Sequence, residues 1–191
     1  MSELLAPPKT GAPYWLVVAG GYMIVAALAL LSISNEFRHI DDTIETLARE
    51  RGTVLFRLIE LTRDWNAMHG GVYAPITEKT RPNEYLEHPR RDLETTDGQR
   101  LTMINPAFMT RQIAEIAEKI DGVKFHITSL NPIRPANKAD EWEAESLKLF
   151  EKDGIKERLS LIEGDAATVH RYMAPLFGKE SCLRCHAKQQ Y

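Results

Sequence analysis

The sequence predicts an α+β domain carried on a long N-terminal helix. From Tyr14 to Ser34 runs an uncharged apolar stretch, YWLVVAGGYMIVAALALLSIS, and a heptad-spaced stripe continues it without proline as far as Met68. After the paired glycines Gly70 and Gly71, short alternating segments bounded by turn signals exchange with helix-period segments that carry caps. Strands close enough to pair as hairpins, with helices between them, describe an antiparallel sheet with flanking helices.

Taken in order, Met1 to Pro13 has Lys9 as its only basic side chain and reads as a short cytoplasmic tail. Residues 14–34 are long enough to cross roughly 30 Å of hydrocarbon as a helix. Tyr14 and Trp15 stand where an interfacial aromatic belt belongs, and Gly20-Gly21 permits close approach of another helix. The long apolar run, and the lack of an Ala-x-Ala site after it, favour a retained single-pass anchor over a cleaved signal peptide. Residues 35–68 are read as an amphipathic helix continuous with the anchor. Phe37, Ile40, Ile44, Leu47, Arg51, Val54, Leu58, Leu61, Trp65 and Met68 alternate three and four apart, a heptad seam broken only by Arg51. Such a stripe either packs on the chain's own domain, the preferred reading, or forms a parallel coiled coil with a second copy.

The paired glycines end the helix and open a domain over residues 69–191. Val72 to Pro89, with three prolines, reads as loop. Asp97-Gly98 is a hairpin turn between Asp92 to Thr96 and Gln99 to Ile104. Asn105-Pro106 is a cap followed by proline at the first helical position, opening a helix through Met109, Ile113, Ile116 and Ile120 that Gly122 terminates. Val123 to Leu130 alternates and is predicted to be a half-buried strand, followed by a proline-interrupted loop to Asn137. Asp140 to about Lys152 is a helix stopped by Gly154. Arg158 to Ile162 and Ala166 to Ala174 are two strands about Gly164-Asp165.

The chemistry concentrates in Cys182-Leu183-Arg184-Cys185-His186. Two thiols two residues apart, with histidine directly after, suit one covalent haem c: thioethers from Cys182 and Cys185, and His186 as proximal iron ligand. These are the only cysteines, so no second pair completes a zinc site and no disulfide is available to the core. Covalent haem attachment in bacteria takes place outside the inner membrane, which orients the anchor and puts the domain in the periplasm. The formal charge of -3, with both signs interleaved, supplies no basic field, so nucleic acid is not an expected partner. A nucleophile elbow, a Gly-rich phosphate loop and zinc-type His-x-x-Glu spacing are all absent, and no enzymatic activity is expected.

Beside that motif, the stretches Trp65 to Tyr73 (WNAMHGGVY), Leu101 to Gln112 (LTMINPAFMTRQ), His126 to Pro132 (HITSLNP) and Glu141-Trp142-Glu143 resemble a bacterial family of c-type haem domains with a PAS-like fold. That family was formerly listed as a domain of unknown function; it includes periplasmic haem sensor domains and a cyanobacterial cytochrome. The resemblance covers about Ile40 to Tyr191. It implies a PAS-like antiparallel sheet and a periplasmic haem sensor module. Relatives typically continue into further β-structure after the haem histidine, whereas only Ala187 to Tyr191 follow it here.

What stands opposite His186 decides between gas binding and electron transfer. His69, at the helix end beside two glycines, is the first candidate for the distal iron ligand, and His126, on the polar face of its segment, is the weaker one. Met173 and His170 lie on opposite faces of one strand, so at most one of them faces the haem. Met68 belongs to the seam, and His39 and His88 are read as surface residues. Arg184, Arg171 and Lys179 are candidates to pair the haem propionates. The function expected is haem-based redox or small-ligand sensing; the alternative is an electron-transfer subunit docked to a larger membrane complex. The expected partners are the bilayer, a second copy through the long helix, and a membrane complex or redox partner.

Overall fold

The computed structural model describes residues 13–121, 123–164 and 168–182. With no proline between Pro13 and Pro75 to interrupt it, α1 runs unbroken over Tyr14–Met68, 55 residues. It ends where the glycines were expected to end it. Gly70 (φ 72°) and Gly71 (φ 96°) turn the chain into the left-handed region, and their N–H groups donate back to Ala67 O and Asn66 O, each at 3.0 Å, closing off carbonyls of the last turn. A Cβ on Gly71 would stand 2.9 Å from Met103 Cγ, so space as well as φ demands glycine.

The chain divides into two units, Met1–Leu47 and Ala48–Tyr191. Among its described residues the first is helical. α1 contains an apolar stretch of mean hydropathy 2.4, none of it buried, which makes it a candidate membrane span. The second unit holds the remainder of α1 and all the strands. Among its described residues it is a mixed α/β arrangement with two small antiparallel sheets, where the sequence suggested one.

The first sheet has the order β1-β3-β2, from β1 (Val72–Pro75), β2 (Asp92–Glu94) and β3 (Arg100–Ile104). The β2–β3 hairpin turns at Asp97-Gly98 as predicted, with Gly98 at φ 83°. β1 corrects the expectation of loop from Val72 onward: the φ of Gly71 swings the chain back so that Val72 pairs with Ile104 and Pro75 with Leu101. Proline is tolerated there because β1 is an edge strand. α2 (Pro106–Asp121) begins at the predicted cap, with Phe108 N donating to Asn105 Oδ1 at 3.1 Å. Its predicted apolar stripe is half covered at Met109 and Ile113 and exposed at Ile116 and Ile120, while Phe108 and Thr110 go inside. The predicted stop, Gly122, lies outside the described residues.

Val123 to Leu130 is not a strand. Its alternating burial is as expected through Ile127, but only one bridge forms, Ser129 with Lys138. The proline-rich return, with a short 3-10 helix at Pro135–Asn137, offers no extended neighbour to complete a ladder. α3 (Glu141–Asp153) has a capping box: Asp140 accepts from Glu143 N while the Glu143 carboxylate takes Asp140 N, and Gly154 closes the other end at φ 64°. β4 (Arg158–Glu163) and β5 (Thr168–Met173) pair antiparallel as the second sheet, and a 3-10 turn follows at Glu180–Cys182.

Leu86, Met103, Ile104, Phe108 and Phe150 are buried, together with fully covered Asn66, Thr102, Thr110 and Ser146. Within the second unit α1 reaches this interior through polar contacts. Asn66 Nδ2 donates to Ile104 O at 2.9 Å, and Arg63 donates to Pro106 O and Thr110 Oγ1, both at 3.3 Å. Higher on the helix, Arg49 pairs with Glu157 at 2.6 Å, and Gly52 lies so near β5 that a Cβ there would meet Tyr172 Cβ at 2.7 Å.

Candidate functional site

Of the motif Cys182 to His186, only Cys182 falls within the described residues; Leu183, Arg184, Cys185 and His186 lie outside them. Cys182 closes the last 3-10 turn, with its N–H donating to Lys179 O at 2.8 Å, and its half-buried Sγ accepts from Lys179 N at 3.3 Å. Lys179 anchors that turn to α1: Nζ lies 2.5 Å from Asp64 Oδ2. The hydrogen bond to Asp64 raises the Lys179 pKa, so the ammonium stays charged. Beside Asp64 is Arg63, buried enough that desolvation lowers its pKa. The neighbouring Cys182 and Asp64 act in the opposite sense without cancelling it. The cysteine turn is therefore fixed to the last two turns of α1, next to a desolvated positive charge.

Exposed apolar side chains stand on both sides of this tie. Trp65 and Met68 carry them on α1, within a turn of Asp64; Leu176 and Phe177 carry them on the segment leading to Cys182. One turn beyond Trp65 is His69, whose ring lies 4.5 Å from the Trp65 ring. Its Nδ1 stands 2.7 Å from Trp65 O. A carbonyl only accepts, so Nδ1 carries a hydrogen, and in the neutral ring that leaves the lone pair on Nε2, the tautomer a metal requires.

The other sequence candidates are placed elsewhere. His126 has both ring nitrogens engaged, Nδ1 with Glu143 Oε1 at 2.8 Å and Nε2 with Ala136 O at 3.2 Å. Arg171, a candidate propionate partner, is spent on Asp140 at 2.8 Å and Glu143 at 3.1 Å and lies 4.6 Å over the Trp142 ring. Burial pushes the Asp140 carboxyl up, yet the Glu143 N–H and Arg171 outweigh it and hold that carboxyl below its ordinary range. His170 is exposed and Met173 half-buried on β5. His88 Nδ1 accepts from Arg90 N, as a surface turn residue does.

The sequence reasoning missed Arg63, Asp64 and Asn66. Asn66 Oδ1 is the one buried side-chain oxygen without a hydrogen-bond partner among the described residues. All three lie in the gaps of the apolar heptad, and their signal was a polar residue repeated on a second face of α1.

Neither a curated protein nor a solved structure matches the chain. The family model described as Tll0287-like matches residues 34–191, most of the sequence and all of the second unit. The stretches from Trp65 to Glu143 and the Cys182 to His186 motif fall inside that match, and the chain belongs to the Tll0287-like family of c-type haem domains.

Proposed function

We propose that the chain is a membrane-anchored, periplasm-facing monohaem c-type cytochrome domain with a PAS-like fold, a non-enzymatic sensor of redox state or of a small ligand. The observation that carries this is the family match across residues 34–191, with a two-cysteine and histidine motif whose first thiol is tied to α1. The described residues fit a haem. Cys182 presents a half-buried thiol, and Trp65, Met68, Leu176 and Phe177 offer apolar cover of the kind a porphyrin face needs. Arg63 and Lys179 set positive charge beside the attachment point, where propionates or ferric iron make it matter. Haem, held by Cys182, Cys185 and His186, supplies a one-electron couple and an iron able to take an axial ligand. His69 offers the second ligand through Nε2. Arg184 lies in the motif beside the attachment point and keeps its assignment as a propionate partner. Arg171 is engaged by acids, and so is His126. An apolar span on α1 ahead of the domain supports the anchored, single-pass arrangement, and the chemistry of covalent haem attachment supports the periplasmic side.

With His69 as its second protein ligand the iron would be closed to gases, which would favour redox sensing, or electron transfer to a membrane complex, over gas binding. Visible spectra of the purified full chain, ferric and dithionite-reduced, with and without carbon monoxide, test this. Sharp low-spin ferrous bands indifferent to carbon monoxide are expected, and His69→Ala is expected to make the iron reactive to it. Carbon monoxide binding at once in the unmutated chain would overturn the two-ligand assignment. Loss of all haem on acid–acetone extraction would overturn covalent attachment itself.

A further inference from the structure

We propose that the open seam of α1, from Phe37 to Leu61, is a parallel two-stranded coiled coil with a second copy of this chain. Within the second unit the helix has two opposite stripes. Arg49, Gly52, Arg63 and Asn66 face the domain, each in contact with it. Two residues on, about 200° around the helix, Arg51, Val54, Leu58 and Leu61 face away from it. Val54 is 66% exposed, Leu58 55% and Leu61 61%. In the first unit Phe37, Ile40, Ile44 and Leu47 hold the same three-and-four frame in sequence and are likewise exposed. Over Val54 to Leu61, within the second unit, the preferred expectation that the stripe packs on the chain's own domain is thereby corrected: the domain has taken the other face.

An apolar row at 3.5-residue spacing fits another helix of the same period better than any other surface, because only then does each knob find a hole. Three further observations make that helix a second copy. In heptad terms Phe37, Ile44, Arg51 and Leu58 are a positions, and Ile40, Leu47, Val54 and Leu61 are d positions. Glu50, directly before Arg51, is a g position, so in a parallel pair each Arg51 guanidinium lies within reach of the partner copy's carboxylate, and the single cation fixes register. Seven apolar side chains per chain, at roughly 100 Å² apiece, come to about 1,400 Å² over two copies, within the range of about 1,200–2,000 Å² that stable interfaces bury. Two copies anchored in one membrane by the same end present their seams in parallel, a point that rests on the anchor assignment. Glu36 and Asp41 face each other as like charges at the N-terminal end, so the strength of the pair lies from Ile44 to Leu61.

Trp65 and Met68 continue the frame but flank Asp64, to which Lys179 ties the cysteine turn, and the proposed haem is left to cover them. The proposal otherwise stands apart from the haem assignment.

Disulfide trapping of the full chain in its native membranes tests it, using single substitutions Leu47→Cys, Val54→Cys and Leu61→Cys at d positions and Thr46→Cys on the outer face. Each d position is expected to give at least about tenfold more cross-linked dimer than Thr46→Cys, since only there do paired Cβ atoms come within disulfide reach. Trapping at Val54→Cys alone would mean an antiparallel pair and would overturn the proposal, as would equal trapping at all four positions or none. Haem staining of the monomer band reads the haem assignment separately, so failure of either is distinguishable.

Discussion

The two faces of α1 between Arg49 and Asn66 are built from opposite materials. The face that touches the domain is polar or minimal: an arginine paired to Glu157, a glycine under Tyr172, a desolvated arginine on the start of α2, and an asparagine on the last residue of β3. The face left mostly open among the described residues is the apolar one, Val54, Leu58 and Leu61. Polar groups with fixed partners specify one position and one distance, which is what a domain needs to hold a helix at constant register. A smooth apolar row specifies a period, which is what a second helix needs. The difference teaches that an apolar stripe announces burial without naming what performs it.

Changes on the domain face are expected to cost folding stability. The largest effect is expected from Asn66→Ala, which removes the side-chain hydrogen bond to Ile104 O at a fully covered site and opens a small cavity, together about 2 kcal/mol. Part of the loss is offset because the orphaned Asn66 Oδ1 disappears with the side chain. Urea unfolding of the domain measures it, and a change under about 0.5 kcal/mol would mean that the bond to β3 is not what secures the end of α1.

What the sequence revealed follows the same division. Elements punctuated by local chemistry were legible: the glycine stop after Met68, the Asp97-Gly98 hairpin, the Asn105 cap and Gly154. Each is decided within a few residues by φ or by a side-chain cap. Val72 to Pro75 was misread because its strand character depends on β3, nearly thirty residues away, and its proline sits harmlessly at an edge. Val123 to Leu130 was misread the other way, since alternation needs a neighbour and none arrives. At the site, the two cysteines and histidine were legible as a motif, while Asp64 and Arg63 were not, because nothing local marks a helix residue as the anchor of a turn more than a hundred residues later.

A smaller effect is expected at the Arg49–Glu157 pair, also on the domain face. Arg49 holds the Glu157 carboxyl below the usual range, outweighing its partial desolvation, and the hydrogen bond from Tyr172 (2.9 Å) adds to this. A depressed folded pKa contributes stability above the unfolded value, about 4.3, and loses it as the pH falls through the folded one. Both side chains are partly exposed, so about 1 kcal/mol or less is at stake. Stability measured from pH 5 downward is expected to fall, and Glu157→Gln is expected to flatten part of that slope. An unchanged slope would show that the pair contributes nothing to the attachment of α1.

The smallest effect on folding is expected on the open face, where it sharpens the contrast most. Leu58→Glu puts a charge at a position already more than half exposed, so the domain diluted as a monomer is expected to unfold within about 0.5 kcal/mol of the unchanged chain. Burial against a second copy changes the outcome, because two carboxylates then lose water across an a position where two leucines had packed, a cost that the rim Arg57 of each copy offsets only in part. Association is expected to be lost at protein concentrations where the unmutated chain is dimeric, as read by sedimentation in detergent. If Leu58→Glu instead costs the monomer as much as Asn66→Ala does, Leu58 is covered by its own chain, and the two faces of α1 do not divide the work between folding and pairing.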